Sequence, residues 1–191
     1  MQPVRPSEIL SLEDYEIARP RYRQRVLAIK APRRVAVGEH LTLLFENRDT
    51  VLYQIQEMLR IERITDPKAI RHEIETYNEL VPGDDELTAT LLIEFPDATE
   101  RDRRLRELLG LERHVHLDVE GKRCDAVFDE RQWSDERISS VHYLRFPLGR
   151  SSAEAIRSGA RPVIVVDHPA LEARVQLTEE QRAALAEDLS S

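Results

Sequence analysis

Residues 40–81 constrain the fold more than any other stretch, because the hydrophobic period changes within one unbroken run, HLTLLFENRDTVLYQIQEMLRIERITDPKAIRHEIETYNELV. Residues 41–45 read as an apolar strand, Glu46-Asn47-Arg48-Asp49-Thr50 as a polar corner, and two amphipathic helices follow. On the first helix, residues 48–64, Val51, Leu52, Ile55, Met58 and Leu59 share a face that is expected to pack on a sheet. Asn47 or Asp49 can cap it by accepting its free N–H groups. Glu57 and Glu62 fall among apolar neighbours, with Arg60 placed to pair with Glu57. Asp66-Pro67 opens the second helix, with Ile70, Ile74, Tyr77 and Val81 on its apolar side. The short link through Thr65 and Asp66 implies an antiparallel helical hairpin.

The remaining chain reads as strands and short helices. Residues 35–37 and 41–45 flank Gly38-Glu39-His40 as a tight hairpin, and residues 87–95 alternate with Leu87, Ala89, Leu91, Ile93 and Phe95 on one face. In residues 113–128 a two-residue Glu120-Gly121 turn makes every cross-strand pair agree in character. Val115 faces Ala126 and Leu117 faces Cys124, while Asp118 faces Arg123 and His116 faces Asp125. Further strands are expected at 138–146, where His142 reads as a satisfied core histidine, and at 162–166 and 171–177. Helices are expected at 12–19, ended by Pro20, and at 21–30, 99–109, 152–158 and 178–189, the last opened by a Thr178/Gln181 capping box. A polar connection, residues 130–137, carries Trp133.

This pattern predicts an α+β fold, a mostly antiparallel sheet with the antiparallel helical hairpin packed on one face. The length suits a single domain, residues 1–191, with a basic helical segment at 7–34, a core at 35–177 and a C-terminal helix at 178–189. Apolar residues make up 41% and charged residues 34%, a globular composition with no apolar run of membrane-spanning length. The first residues, MQPVRPSEIL, lack the order of a secretory signal, so the expected location is cytoplasmic. One cysteine, Cys124, excludes an internal disulfide framework and a self-contained thiolate cluster or zinc ribbon. Walker, dinucleotide-binding, H-E-x-x-H and G-x-S-x-G motifs are absent, and no cofactor is predicted.

Charge is unevenly spread. The net charge is −8, yet residues 19–34 carry seven basic side chains and no acidic one, leaving −15 on the rest. Arg19, Arg21, Arg23, Arg25, Arg33 and Arg34 are therefore candidates for binding an anionic partner: RNA, a phosphorylated metabolite or an acidic protein face. The alternative is an internal clamp on the acidic segment 73–86. The overall negative charge disfavours nucleic acid. His72 with Glu75 and Glu79 on the second helix, separately Glu57, and the pair His114-x-His116 on a strand face can contribute to a metal site. A solvated helix face and a His116–Asp125 hydrogen bond are the competing readings.

The motifs FENRDTVLYQIQEMLRIERI, YNELVPGDDELTATLLIE, VHYLRFPL and VDHP resemble an uncharacterised bacterial family, the domain of unknown function 3501, over nearly the whole chain. The resemblance picks out Glu46, Asn47, Arg48, Asp49, Gln54, Glu57, Arg60, Tyr77 and Asn78 without assigning them a role. It also implies neighbours of rubrerythrin-like and iron-sulfur oxidoreductase type, hence an oxidative-stress or electron-transfer setting. Two functional readings follow. One is a non-catalytic accessory protein that docks through residues 19–34. The other is an enzyme or small-molecule or metal binder whose site lies in the 46–78 block, with Arg48 holding an anion, Glu57 as base or ligand, and Tyr77 and Asn78 orienting the substrate. RNA binding by the arginine segment is the weaker third.

Overall fold

A computed structural model describes residues 1–129 and 136–190; the connection around Trp133 lies outside the described residues. In chain order the elements are α1 (Leu12–Lys30), β1 (Arg34–Val37), β2 (Leu41–Glu46), α2 (Arg48–Glu62), α3 (Pro67–Asn78), β3 (Glu86–Ile93), α4 (Ala98–Glu107), β4 (Val115–Val119), β5 (Lys122–Asp125), β6 (Val127–Phe128), β7 (Val141–Pro147), α5 (Gly149–Arg157), β8 (Val163–His168), β9 (Leu171–Gln176) and α6 (Glu179–Leu189). The fold is α+β, with two antiparallel sheets ordered β1-β2-β3-β7-β6 and β5-β4-β8-β9. The chain passes between the sheets three times, after β3, after β5 and after β7.

The main apolar core lies between the sheets. Leu41, Leu43 and Phe45 on β2, Leu87, Ala89 and Leu91 on β3, and Leu144 and Phe146 on β7 meet Val115, Leu117, Cys124, Ile164 and Val166 from the second sheet. The β4–β5 hairpin has the expected register, with Leu117 opposite Cys124 and His116 opposite Asp125. Its turn residues Glu120 and Gly121 both have positive φ, 52° and 82°, the conformation that a two-residue hairpin turn of this hand requires. His142 is a buried histidine on the inner face, edge-on to Phe128, and the Ser139 backbone is the polar group that acts on its ring. Burial holds its pKa below the ordinary imidazole value.

The other face of the five-stranded sheet is mixed: the buried Thr42, Glu46, Thr88 and Thr90 alternate with the core positions there, together with the half-buried Leu44, Leu92 and Tyr143. Val51, Ile55 and Leu59 of the α2 stripe pack with Ile74, Tyr77 and Leu80 and with Val4 from the N-terminal segment, forming a second cluster that Tyr143 on this face of β7 joins to the sheet. Asn47 caps α2 and Asp66 caps α3, each accepting from backbone N–H groups of the first turn.

Helix α1 runs through Pro20 and replaces the two helices expected on either side of it. An interior proline costs a helix about 3 kcal/mol. Here the helix is anchored on both sides of the proline, by Tyr15 and Arg19 on Glu57 and by Tyr22 stacked on Tyr53, and the Pro20 ring faces solvent. Beyond α1, Arg33 is buried in a two-pronged ion pair with Asp188 of α6, at 2.7 and 2.8 Å, with Asn47 donating to the same carboxylate at 3.2 Å. Burial pushes the Asp188 carboxyl up against the pull of these donors. Asp188→Ala is expected to lower stability by about 3–5 kcal/mol, since it strands the Arg33 guanidinium away from water. Joint replacement Arg33→Met, Asp188→Leu should cost much less, as measured by urea unfolding.

Candidate functional site

The helices α1 and α2 run antiparallel, and their contact absorbs part of the arginine segment. Glu57 accepts from Tyr15 Oη at 2.7 Å and from Arg19 Nε and Nη2 at 2.7 and 2.9 Å, with Arg60 at 3.5 Å. The Arg19 hydrogen bond holds the Glu57 carboxyl down to about 2, against a smaller opposing effect of burial. Glu62, also expected among apolar neighbours, is exposed on the last turn of α2. Tyr22 stacks on Tyr53 with ring centroids 6.1 Å apart, and Lys30 lies over the Tyr53 ring. Arg33 is taken by Asp188, Arg34 lies 3.6 Å from Glu94, and Arg25 reaches Asp49 at 3.4 Å while remaining exposed. Among these ion pairs none involves residues 73–86, so the acidic-segment clamp is replaced by pairs to Asp49, Glu57, Glu94 and Asp188. Arg21 and Arg23 face solvent without an ion pair among the described residues.

The side chains of the polar block 46–78 leave in five separate directions. Glu46 is buried and accepts from the hydroxyls of Thr50 and Thr90. Asn47 caps α2 and contacts Asp188, and Asp49 lies at the α1 side. Arg48 and Asn78 turn towards the N-terminal segment: Arg48 binds the Glu8 carboxylate and the Gln2 carbonyl, and Asn78 pairs with the Val4 backbone. Glu57 and Arg60 face α1. Gln54 contacts the phenols of Tyr77 and Tyr143, both raised above the ordinary tyrosine value mainly by burial. These tyrosines border a cleft between α3 and β6–β7, with a volume of about 590 Å³ beside Tyr143 and about 280 Å³ beside Tyr77. Of the nine candidate residues Tyr77 alone lines it, beside Glu73 and Thr76 of the same helix; Arg48, Glu57 and Asn78 do not converge there.

The histidines are arranged differently from the expected His116–Asp125 pair. Asp125 accepts from Arg123, while Asp167 of β8 sits 2.9 Å from His114 Nδ1 and 4.0 Å from the buried His116 Nδ1. Asp167 is drawn in because it pairs with the His114 backbone across the β4–β8 edge. His72 and Glu75 are exposed on α3. Among the described residues, no group of three or more His, Cys, Asp or Glu side chains is placed to hold a metal ion. No helix of the described residues is long and apolar enough to cross a membrane.

Sequence reasoning missed Tyr15, Asp167, Asp188 and the N-terminal segment as partners of the named residues. The alternation of Asp167 with the core positions of β8 is the one local signal that could have placed it beside His114.

Comparison with known proteins adds a family and a fold relative. A family described as "Protein of unknown function (DUF3501)" matches residues 3–189. A crystal structure of a protein of unknown function from Burkholderia pseudomallei K96243 is similar with a TM-score of 0.93 and 38% identity, covering 98% of this chain and 100% of that one. Curated proteins yield no match.

The depressed Glu57 carboxyl stabilises the fold while it is ionised and Arg19-bound. That contribution is complete above pH 4.5 and is lost as pH falls towards 2. Glu57→Gln should therefore destabilise by about 1–2 kcal/mol at neutral pH, the value being reduced by solvent screening. The difference from wild type should disappear near pH 2 in denaturant titrations, whereas a pH-independent difference would deny the ion pair this role.

Proposed function

We propose that this chain, which belongs to the DUF3501 family of proteins of unknown function, is a non-catalytic accessory protein that docks onto an acidic protein face through the solvent side of α1. The observation that carries this reading is the outward face of that helix. At about 100° per residue, Tyr15, Arg19, Tyr22 and Val26 fall on the inner side and Ile17, Pro20, Arg21, Gln24 and Leu27 on the outer. Ile17 is 81% exposed and Leu27 51%, far beyond what a helix needs on its wet side, and Arg21, Arg23 and Arg25 surround them.

Exposed aliphatic side chains framed by arginines on an otherwise acidic chain match an acidic surface with an apolar centre. RNA is the poorer fit, because Tyr22, the one tyrosine in the segment, is already stacked on Tyr53, and the paired arginines break the basic face. The enzyme reading needs Arg48, Glu57, Tyr77 and Asn78 in one cleft, and they lie on three sides of α2 and α3. Rubrerythrin-like and iron-sulfur oxidoreductase proteins, the partners implied by the family resemblance, are the first to try, and such a partner would place the chain in an oxidative-stress or electron-transfer module.

Arg21→Glu with Arg23→Glu should weaken capture of such a partner at least tenfold in calorimetric titration, with the thermal unfolding curve unchanged. Wild-type binding should itself weaken steeply between about 50 and 300 mM salt. Absence of binding at low salt to either partner class would sink the proposal.

A further inference from the structure

The N-terminal segment is held in a way that reads as peptide recognition. Asn78 of α3 forms a paired contact with the Val4 backbone, accepting its N–H at 2.8 Å and donating to its carbonyl at 3.0 Å. Gln56 of α2 does the same for Leu10, accepting at 2.6 Å and donating at 3.4 Å. Between these two points Arg48 binds both Glu8 carboxylate oxygens and the Gln2 carbonyl. The Val4 side chain fills a seat lined by the second apolar cluster and is 3% exposed, while Gln2, Pro3, Arg5, Pro6, Ser7 and Leu10 face solvent.

Apart from one short 3-10 turn, Pro6–Glu8, the segment has no regular structure of its own, and it joins no sheet. The side chains that hydrogen-bond residues 2–10 from elsewhere in the chain stand on α2 and α3, which are also held by α1 and by each other, while the Met1 amine donates to the Pro82 carbonyl. Side-chain amides that satisfy main-chain N–H and C=O pairs are indifferent to sequence, so selectivity rests on the aliphatic seat and on Arg48. The reading points define a motif: a small aliphatic residue, a carboxylate four positions on, and a free backbone N–H and C=O pair two positions beyond that.

We propose that the groove between α2 and α3 is a peptide-binding site, filled in cis by residues 2–10, which takes in trans a segment of another protein with this aliphatic-x-x-x-carboxylate pattern. The cis segment then acts as an intramolecular competitor, lowering apparent affinity in proportion to the fraction of chains in which the groove is open. The arginines of the α1 surface take no part in it.

The test uses the full chain and a fluorescein-labelled peptide of residues 2–11 as probe, read by anisotropy. In Val4→Asp, Glu8→Arg, which weakens the cis segment and leaves the groove intact, the peptide should bind at least tenfold tighter than to wild type. Adding Asn78→Ala should reverse that gain. Equal binding to variant and wild type, or indifference to Asn78→Ala, overturns the proposal. Hydrogen exchange on the unaltered chain gives a second reading that needs no variant. The Val4 and Leu10 amides should exchange well before the interior amides of α2 and α3, and exchange of all of them together overturns the proposal. A concentration-dependent wild-type dimer that the Val4→Asp, Glu8→Arg variant abolishes would assign the groove to a second copy's segment and overturn the partner assignment.

Discussion

The five-stranded sheet is covered on both faces, but one face sets four buried polar side chains among its apolar ones, and the arrangement of the layer over it follows from this. Leu41, Leu43, Phe45, Leu87, Ala89 and Leu91 face the other sheet; Thr42, Glu46, Thr88 and Thr90 face the helices, all nearly without solvent contact. A buried hydroxyl or carboxylate left without a partner costs about 1–3 kcal/mol, so only a layer that brings hydrogen-bonding groups can cover that face. The first turn of α2 brings Thr50 to Glu46, the segment after α3 brings the Leu80 carbonyl to Thr88, and Glu94 accepts from Thr42. The apolar residues of α2 and α3 bury one another and pack with Tyr143 of the sheet. Val4 closes the gap they leave.

Polar side chains therefore do here what a continuous core does elsewhere. The Arg33–Asp188 pair joins the end of the α1 region to α6 and, through Asn47, to the cap of α2. Such a buried pair adds little net stability over an apolar replacement. What it adds is placement: α6 can dock only where Asp188 meets Arg33. The same logic separates the arginines into two groups. Arg19 and Arg33 meet fixed carboxylates and position helices, whereas Arg21 and Arg23 make no such contact and leave their charge on the surface.

Features set by residues close in sequence were readable in advance. The Glu120-Gly121 turn dictates the β4–β5 register, and Asn47, Asp66 and Thr178 each meet N–H groups two or three residues away. Features set by distant residues were not. Nothing near Arg33 indicates a carboxylate 155 positions on, and nothing near Asn78 indicates the Val4 backbone 74 positions earlier. Pro20 misled because the local cost of an interior proline is real, while the contacts of Tyr15, Arg19 and Tyr22 that offset it are tertiary. The candidate block fared likewise: its polarity was legible, but the direction in which each side chain leaves its helix decides whether a site exists.

Helix α2 links the two proposed binding surfaces. Gln56 holds Leu10, the last residue of the N-terminal segment before the α1 cap, and the adjacent Glu57 holds Tyr15 and Arg19 on α1 itself. The segment runs straight into the Ser11 cap, so displacing it removes a backbone anchor within one helical turn of the Tyr15–Glu57 contact. A ligand that empties the groove thus changes the restraints on the helix that carries Arg21 and Arg23. If that change alters the affinity of the α1 surface, linkage requires that a partner bound at α1 alters the affinity of the groove by the same factor. The coupling needs no long pathway, because neighbouring residues on one helix hold both elements.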